Sequence, residues 1–588
     1  MKSLLEVTIL VLRESGVQCG APTKRDELTL VSRVASEGDS FLTITLPAVC
    51  KVFDRALDSG RWQTGDLLGF KVDRQGLPRF LSGFLSAIFD STGTLLPEPS
   101  IHCIRAVRQI LLLCGKIERA TSDSRQAKAL RQFVEIDSQV PSRFPVDMLD
   151  MFDKVAGIVI TSLGVDFVDP VTSGLIPRQG SGAVAEKTRR NSRYQFNSWP
   201  LRLGRTFPYD QFGVVNASWM EELRTEIAPR DERPVRVVLV PKTMKTPRVI
   251  SIEPAAMQWT QQSLMRWFYD NIPKNPFLKR TIRFSSQDAN KDAARRGSES
   301  GYNTTIDLSE ASDRVSSALV WRAFRSHPLL RQSLFDCRST RASVPGYEGT
   351  VKLRKFASMG SALCFPIEAL MFTIIIAASR IRSIGCRPDA ASVRKVLSDV
   401  LVYGDDIIVP VDCAPRVIEW LEAFGLKVNR TKTYSGDNFR ESCGGEYFRG
   451  HDVTVVRIRS DFPKSLGDAS KLASWVSFTN QAYMHGLWGV TKVLRSTFPL
   501  TAVKSWGTSQ SSGLVWHSFS NAVTHRGWDT NLHCLTDVRI VLKPARVSDE
   551  IDGPAALLKS LTSSNLFDAK HLLSIVSPGK LNTKSQKV

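Results

Sequence analysis

The stretch Tyr403-Gly404-Asp405-Asp406 constrains this chain more than any other. It stands between Val400-Leu401-Val402 and Ile407-Ile408-Val409-Pro410, two apolar and mostly β-branched runs. Such runs favour strands, and Gly-Asp is a pair that two-residue hairpin turns use, because Gly accepts positive φ. The frame predicts a strand-turn-strand with adjacent carboxylates at its tip. Like charges held between apolar strands repel one another and resist ionisation, so the turn calls for a cation. Hard oxygen ligands suit magnesium, which takes one or two carboxylates together with substrate phosphates. An isolated Asp-Asp pair is more often a solvated turn; here the other segments of the chain decide.

Upstream, Thr304-Thr305-Ile306-Asp307-Leu308-Ser309 reads as a short strand passing into a helix, which puts Asp307 at a strand end where it can face Asp405 across adjacent strands. Asp307, Asp405 and Asp406 would then hold two ions about 3.5–4 Å apart, the spacing that activates an attacking 3′-hydroxyl and stabilises a departing pyrophosphate. Asp313 falls in the first turns of the following helix. It is read either as a test for a ribose 2′-hydroxyl or as an ordinary helix-start acid. Ala357-Ser358-Met359-Gly360-Ser361-Ala362 is either a helix N-cap or a flexible loop receiving nucleotide and template. After the aspartate pair, Lys427 to Thr433 forms a basic strand in which Lys432 is a candidate proton donor to pyrophosphate. Phe439-Arg440-Glu441-Ser442-Cys443-Gly444-Gly445-Glu446-Tyr447-Phe448 reads as a tight hairpin.

Charge points the same way. Lys and Arg number 78 against 58 Asp and Glu, a net +20 that favours a polyanionic partner, although ribosome-associated and membrane-surface proteins share that excess. Between Gly180 and Arg205, Lys187, Arg189, Arg190, Arg193, Arg202 and Arg205 are interleaved with Tyr194, Phe196 and Trp199. That pattern fits either a loop tracking phosphates and stacking bases or a solvated basic face. From Arg233 to Ile250, alternating apolar residues bracketed by prolines predict two strands joined by a loop, with Lys242, Lys245 and Arg248 placed to grip a triphosphate.

The 588 residues exceed a single core. Ten cysteines without a Cys-x-x-Cys pair and eight histidines without ligand spacing indicate neither a disulfide framework nor a zinc site. Met1 to Leu12 is interrupted by Glu6 and lacks a small-residue cleavage site, so it is not read as a signal peptide. Ala369 to Ala378 is read as a buried helix too short to span a bilayer. Residues 1 to about 170 mix a strand-like run, Leu42 to Leu46, with helical periodicity at Ile101 to Leu113, and read as scaffold. From about Ser460 the pattern is mainly helical, with Trp475, Trp488, Trp506, Trp516 and Trp528 mostly assigned to core. The tail from Ser577 to Val588 reads as a frayed polar end.

In this order the motifs resemble the RNA-directed RNA polymerases, and most closely the replicase catalytic (beta) subunits of single-stranded RNA bacteriophages, the leviviruses. The match is carried by Thr305 to Ser309 with Ala311-Ser312-Asp313, by Ser358-Met359-Gly360, by Val402 to Ile408 and by Phe439 to Gly444, with Val240-Pro241-Lys242, Lys245 and Ile252-Glu253-Pro254 upstream. Together these cover roughly residues 235 to 450.

The resemblance implies an α+β right-hand polymerase of fingers, palm and mainly helical thumb. Its divisions fall at 1–234 for the N-terminal region and fingers, 235–300 for the strands that admit the nucleotide, 301–459 for the palm with a finger-like insert near 335–357, and 460–588 for the thumb and tail. It implies template-directed, primer-independent RNA synthesis from NTPs, with two Mg2+ ions on Asp307, Asp405 and Asp406 for which Mn2+ or Ca2+ can substitute. Lys242, Lys245, Arg248, Asp313, Ser358 and Gly360 would meet the nucleotide, Lys432 would be the acid, and Lys187, Arg189, Arg190 and Arg193 would contact RNA. The implied partners are a single-stranded RNA template, the host elongation factors Tu and Ts and an RNA-binding ribosomal protein, in the cytoplasm of an infected bacterium and without a membrane. Ser361 stands where close phage relatives carry Asn, which leaves the partner of Asp313 open. A reverse transcriptase and a non-catalytic RNA-binding repressor are the rival readings; polar Asp313 disfavours the first and three ordered carboxylates disfavour the second.

Overall fold

A computed structural model describes residues 3–63, 68–73, 76–180, 182–188, 190–215, 218, 226–507, 513–520, 524, 527–531, 533–544, 552–562 and 581–587. Its centre is a four-stranded antiparallel sheet in the order Lys427–Val428, Asn303–Ser309, Asp406–Pro410, Leu401–Tyr403. Tyr403 pairs with Asp406, so Gly404 and Asp405 form the two-residue turn that the sequence predicts.

The sheet is covered on both faces. Ile306, Leu308, Val402, Ile407 and Val409 enter one core with the helix Cys364–Ile384, while Ile408 turns the other way onto Ala293 and Ala294 of the helix Asp288–Ser300. Burial on both faces explains why 407–409 is a continuous apolar run rather than an alternation. The run Ala369 to Ala378 is helical and enclosed as expected, but its helix extends over 21 residues. By length and composition that helix could cross a membrane, yet it lies inside the molecule.

A second sheet joins Arg248–Ile252, Val235–Val240, Arg341–Ser343 and Val351–Lys352 in that order. The two predicted basic strands thus pair with each other, Val240 opposite Arg248, and the segment near 335–357 adds its strands to theirs. Phe439–Ser442 and Gly445–Phe448 form the predicted hairpin, Ser442 opposite Gly445.

Three expectations fail, one of them the frayed tail, since Leu581–Lys587 is a strand paired with Val538–Pro544. Leu42 to Leu46 is helical, not a strand: Phe41, Leu42, Leu46, Val49, Cys50 and Phe53 are buried at helical spacing, and the Thr43 hydroxyl donates back to the Asp39 carbonyl at 2.9 Å. Beyond 460, the helices Ala469–Met484 and Trp488–Arg495 give way to strand pairs, Gly527–Asp529 with Cys534–Thr536 and Val538–Pro544 with Leu581–Lys587. Trp475 and Trp516 are core and Trp506 is half-buried, but Trp488 and Trp528 are exposed.

Apolar residues from Leu4 to Ile117 and from Tyr434 to Trp516 share one core, distinct from the core under the central sheet. The N-terminal helices therefore close against the last third of the chain, across the division drawn at 460.

Candidate active site

Asp307 lies opposite Asp406 in the register, and paired residues of an antiparallel ladder project to the same side. This corrects the expectation that Asp307 faces Asp405: Asp405 occupies the exposed turn beside the pair. Gly404 has φ +60°, and a Cβ there would run into the Phe365 ring, so both conformation and space require glycine. Burial, then Asp405, then Glu441 and Asp307 push the Asp406 carboxyl up to about 6, against a hydrogen bond from the backbone of Cys443. Beneath the turn, burial and Asp405 hold the Glu368 carboxyl well above the usual carboxylate range.

Asn429 fixes Asp307 twice. Its amide nitrogen donates to the Asp307 carbonyl at 2.8 Å and its Nδ2 to Oδ2 at 2.7 Å. Lys432 Nζ lies 3.5 Å from Asp307 Oδ1 and 3.8 Å from Glu441 Oε1. Glu441, then Asp307 and Asp406, push its ammonium up against the effect of burial. Lys432 sits in the turn after Lys427–Val428 rather than on a strand, because the ladder ends where Asn429 caps the turn through Thr431. The sequence reading missed Asn429 and Glu441. Once the 439–448 hairpin is drawn the pleat fixes the side on which Glu441 projects, but nothing in the sequence says that Lys432 meets it.

Among the described residues no group of three or more His, Cys, Asp or Glu is drawn together tightly enough to hold a metal ion. The chemistry of the donors nevertheless fits one. Asp307, Asp405 and Glu441 all act electrostatically on Asp406, the four offer only oxygen donors, and Lys432 is the cation paired with two of them. The Asp406 carboxyl is raised first by burial and then by the negative charge of its neighbours, which a hard divalent cation would neutralise.

Facing these acids is the loop between the basic strands. Burial, then Arg248 and Lys432, lower the Lys242 ammonium, while Asp405 and Asp307 raise it, which puts Lys242 within electrostatic reach of the carboxylates. Lys245 and Arg248 are exposed on the same loop and strand. The loop is anchored at Met244, which packs against the N-terminal core, receives the Thr43 hydroxyl on Sδ at 3.3 Å and accepts from Arg125 Nη1 on its carbonyl at 2.7 Å. Lys51, on the helix Leu46–Ser59, joins this group: burial, Lys245 and Lys432 lower its ammonium while Asp307 and Glu441 raise it. Residues read as scaffold thus bring a cation to the carboxylates.

Asp313 is paired with Lys355, Nζ to Oδ1 at 2.9 Å, a partner the sequence reading did not find. Ser358 is buried and its hydroxyl has no hydrogen-bond partner among the described residues. Gly360, at φ +125°, passes so close to the Ser251 carbonyl that a Cβ would collide with it, and Met359 O accepts from Ser251 N at 2.8 Å. The loop is thus stitched to the edge of the basic strand pair. Ser361 Oγ donates to Gln261 Oε1 at 2.8 Å.

The basic stretch from 180 to 205 is built differently from its stacking reading. Tyr194, Phe196 and Trp199 are buried, packed edge-on or tilted against Trp259 and each other, so they offer no face to a base. Arg193 donates to the carbonyls of Gly180 and Gly182, and Arg202 to Glu232 and to three backbone carbonyls. Lys187 is exposed in left-handed conformation, Arg190 opens a short 3-10 turn, and Arg189 lies outside the described residues.

Comparison with known proteins follows this geometry. Residues 205–473 match the family described as RNA replicase, beta-chain. The chain is similar to the RNA-directed RNA polymerase beta chains of Enterobacteria phage fr and Escherichia phage MS2, each 34% identical over 228 residues, 38% of this chain and 37% of the relative. It is also similar to the RNA-directed RNA polymerase subunit beta of Escherichia virus Qbeta, 36% identical over 224 residues, 38% of this chain and 35% of the relative. The match therefore spans just over a third of the length of these relatives. Among solved structures, the RNA-dependent RNA polymerase of a human picorbirnavirus aligns over 45% of this chain and 56% of its own at 12% identity and a TM-score of 0.34.

Proposed function

We propose, from the premise that residues 205–473 of this chain match the RNA replicase beta-chain family, that the protein synthesises RNA on an RNA template by nucleotidyl transfer from NTPs. The observation that carries the reading is the register: Asp307 opposite Asp406, beside the Gly404-Asp405 turn, with Lys432 bridging Asp307 and Glu441. Divalent cations held by Asp307, Asp405 and Asp406 would, when bound, activate the primer-end or initiating 3′-hydroxyl and neutralise charge developing on the phosphates. Lys242, Lys245 and Arg248 grip the incoming triphosphate, the grip being firm because Met244 ties their loop to the N-terminal core. Lys432, paired with Asp307 and Glu441 beside the turn, is the donor to the departing pyrophosphate. Asp313 and the unpartnered Ser358 hydroxyl receive the sugar.

The right-hand assignment belongs to the same reading. The central sheet is the palm, the 235–252 strands with the 335–357 insert are part of the fingers, and the region beyond 460 is the thumb. So do primer-independent initiation, the host factors Tu and Ts with an RNA-binding ribosomal protein, and action in the cytoplasm of an infected bacterium.

The test is a template-directed assay with NTPs and magnesium on the isolated chain and again with host extract. Asp405→Asn is expected to bind RNA with unchanged affinity and to lose at least about a thousandfold of its synthesis. Equal synthesis by this variant, or incorporation of dNTPs in preference to NTPs, overturns the assignment.

A further inference from the structure

We propose that Lys355 is the positioning residue for sugar selection: it pins one oxygen of Asp313 from inside the protein so that the other accepts a ribose 2′-hydroxyl. The inference rests on the polymerase reading and names what sets its choice of sugar. The Lys355 side chain is wholly enclosed, so it touches no substrate and acts through what it holds.

Both ends of Lys355 are fixed. Its backbone N–H donates to Asp137 Oδ1 at 3.1 Å, the Arg354 N–H donates to Asp137 Oδ2 at 2.9 Å, and its carbonyl accepts from Arg338 Nη2 at 2.6 Å. At the other end Nζ reaches Asp313 Oδ1 at 2.9 Å and stands 3.5 Å over the Phe133 ring. An enclosed ammonium is costly without its anion, so the pair stays locked. Phe133 and Asp137 belong to the helix Asp123–Gln139, which the sequence reading left without chemistry.

Asp313 stands in the tight turn that follows the Asp307 strand. Glu310 takes φ +48°, and Asp313 N donates to Glu310 O at 3.0 Å. Asp313 and Asp405 both act electrostatically on Glu368, so both carboxylates lie in the neighbourhood of that residue. Among the described residues Oδ2 of Asp313 has no hydrogen-bond partner. An ionised carboxylate only accepts, so it is satisfied by a 2′-hydroxyl that donates and left short by a deoxyribose. Ser361, the other candidate at this point, is already bonded to Gln261.

The test compares kcat/KM for NTPs and dNTPs on one RNA template. Lys355→Met, which keeps the packing and removes the charge, is expected to lower the NTP preference about tenfold or more, and Lys355→Arg about threefold. In an Asp313→Ala background Lys355→Met is expected to change the preference no further. Thermal melting checks that each variant is folded, and Lys355→Arg carries the test if Lys355→Met aggregates. An unchanged preference in a folded variant, or additive effects with Asp313→Ala, overturns the inference while the unaltered chain still makes RNA. No synthesis by the unaltered chain, with host extract present, overturns the polymerase reading and this inference with it.

Discussion

Single residues in this site are decided by charges they did not choose as neighbours. Lys51 sits on a helix more than two hundred positions before Asp307, yet its ammonium feels Asp307, Glu441, Lys245 and Lys432. It is exposed along much of its length, and alanine is a good helix residue, so Lys51→Ala removes the charge with little cost to the fold. The expected outcome is a five- to tenfold rise in KM for NTPs, roughly one charge-assisted contact, with RNA affinity and melting temperature unchanged. Steady-state kinetics beside an RNA-binding titration read this directly. The aspartates were legible because a costly pair of charges in an apolar frame announces itself. Lys51 and Lys355 were not, because a lone lysine, on a helix or in an extended segment, looks the same whether solvent or a carboxylate lies beyond it. Tyr194, Phe196 and Trp199 misled for a related reason: aromatics among arginines suit a stacking surface, and only the packing on Trp259 shows that they face inward.

Among the elements, the loop from 241 to 247 depends on a region outside its own sheet. The strands Val235–Val240 and Arg248–Ile252 were readable from alternation and bracketing prolines, and their register follows once they pair. What holds the loop between them was not readable, since Thr43 and Arg125 lie far away in sequence. Arg125→Ala removes the donor to the Met244 carbonyl and frees the loop on one side. It is expected to raise KM for NTPs several-fold while shifting global stability by only about 1 kcal/mol, the range of one hydrogen bond. Hydrogen exchange at 242–246, faster in the variant, separates loosening of the loop from general destabilisation. The misread segment at Leu42 shows the opposite limit: β-branched composition argued for a strand, but burial at helical spacing and the Thr43 hydroxyl bond decided for a helix.

At the level of the whole molecule, buried acids tie stability to pH. Burial pushes the Glu253 carboxyl from 4.5 up to about 7, against bonds from Ser339 and Gln261, and Asp54 rises to about 7 with burial as the main cause. A carboxyl whose pKa is raised in the folded state binds its proton more tightly there than in the unfolded chain. Its contribution is fully present below the unfolded value and is lost as pH rises through about 7. Stability is therefore expected to fall between pH 5 and pH 8. Glu253→Gln is expected to reduce that fall, by up to about 3 kcal/mol if the shift is fully expressed, measured as denaturation midpoints at the two pH values. Glu253 stands in a segment whose family resemblance the sequence carried, but its environment did not show, because burial is a property of the assembled layers.

The core shared by Leu4–Ile117 and Tyr434–Trp516 has a consequence for how the molecule comes into being on the ribosome. The N-terminal helices emerge early and pack on one another, but the part of their core supplied by Tyr434–Trp516 is made only later. At typical rates of synthesis, translating the intervening residues takes roughly 15–60 s. The Lys51 helix and the Met244 anchor both pack in that core, so the cationic side of the site depends on chain that is synthesised after both aspartate strands.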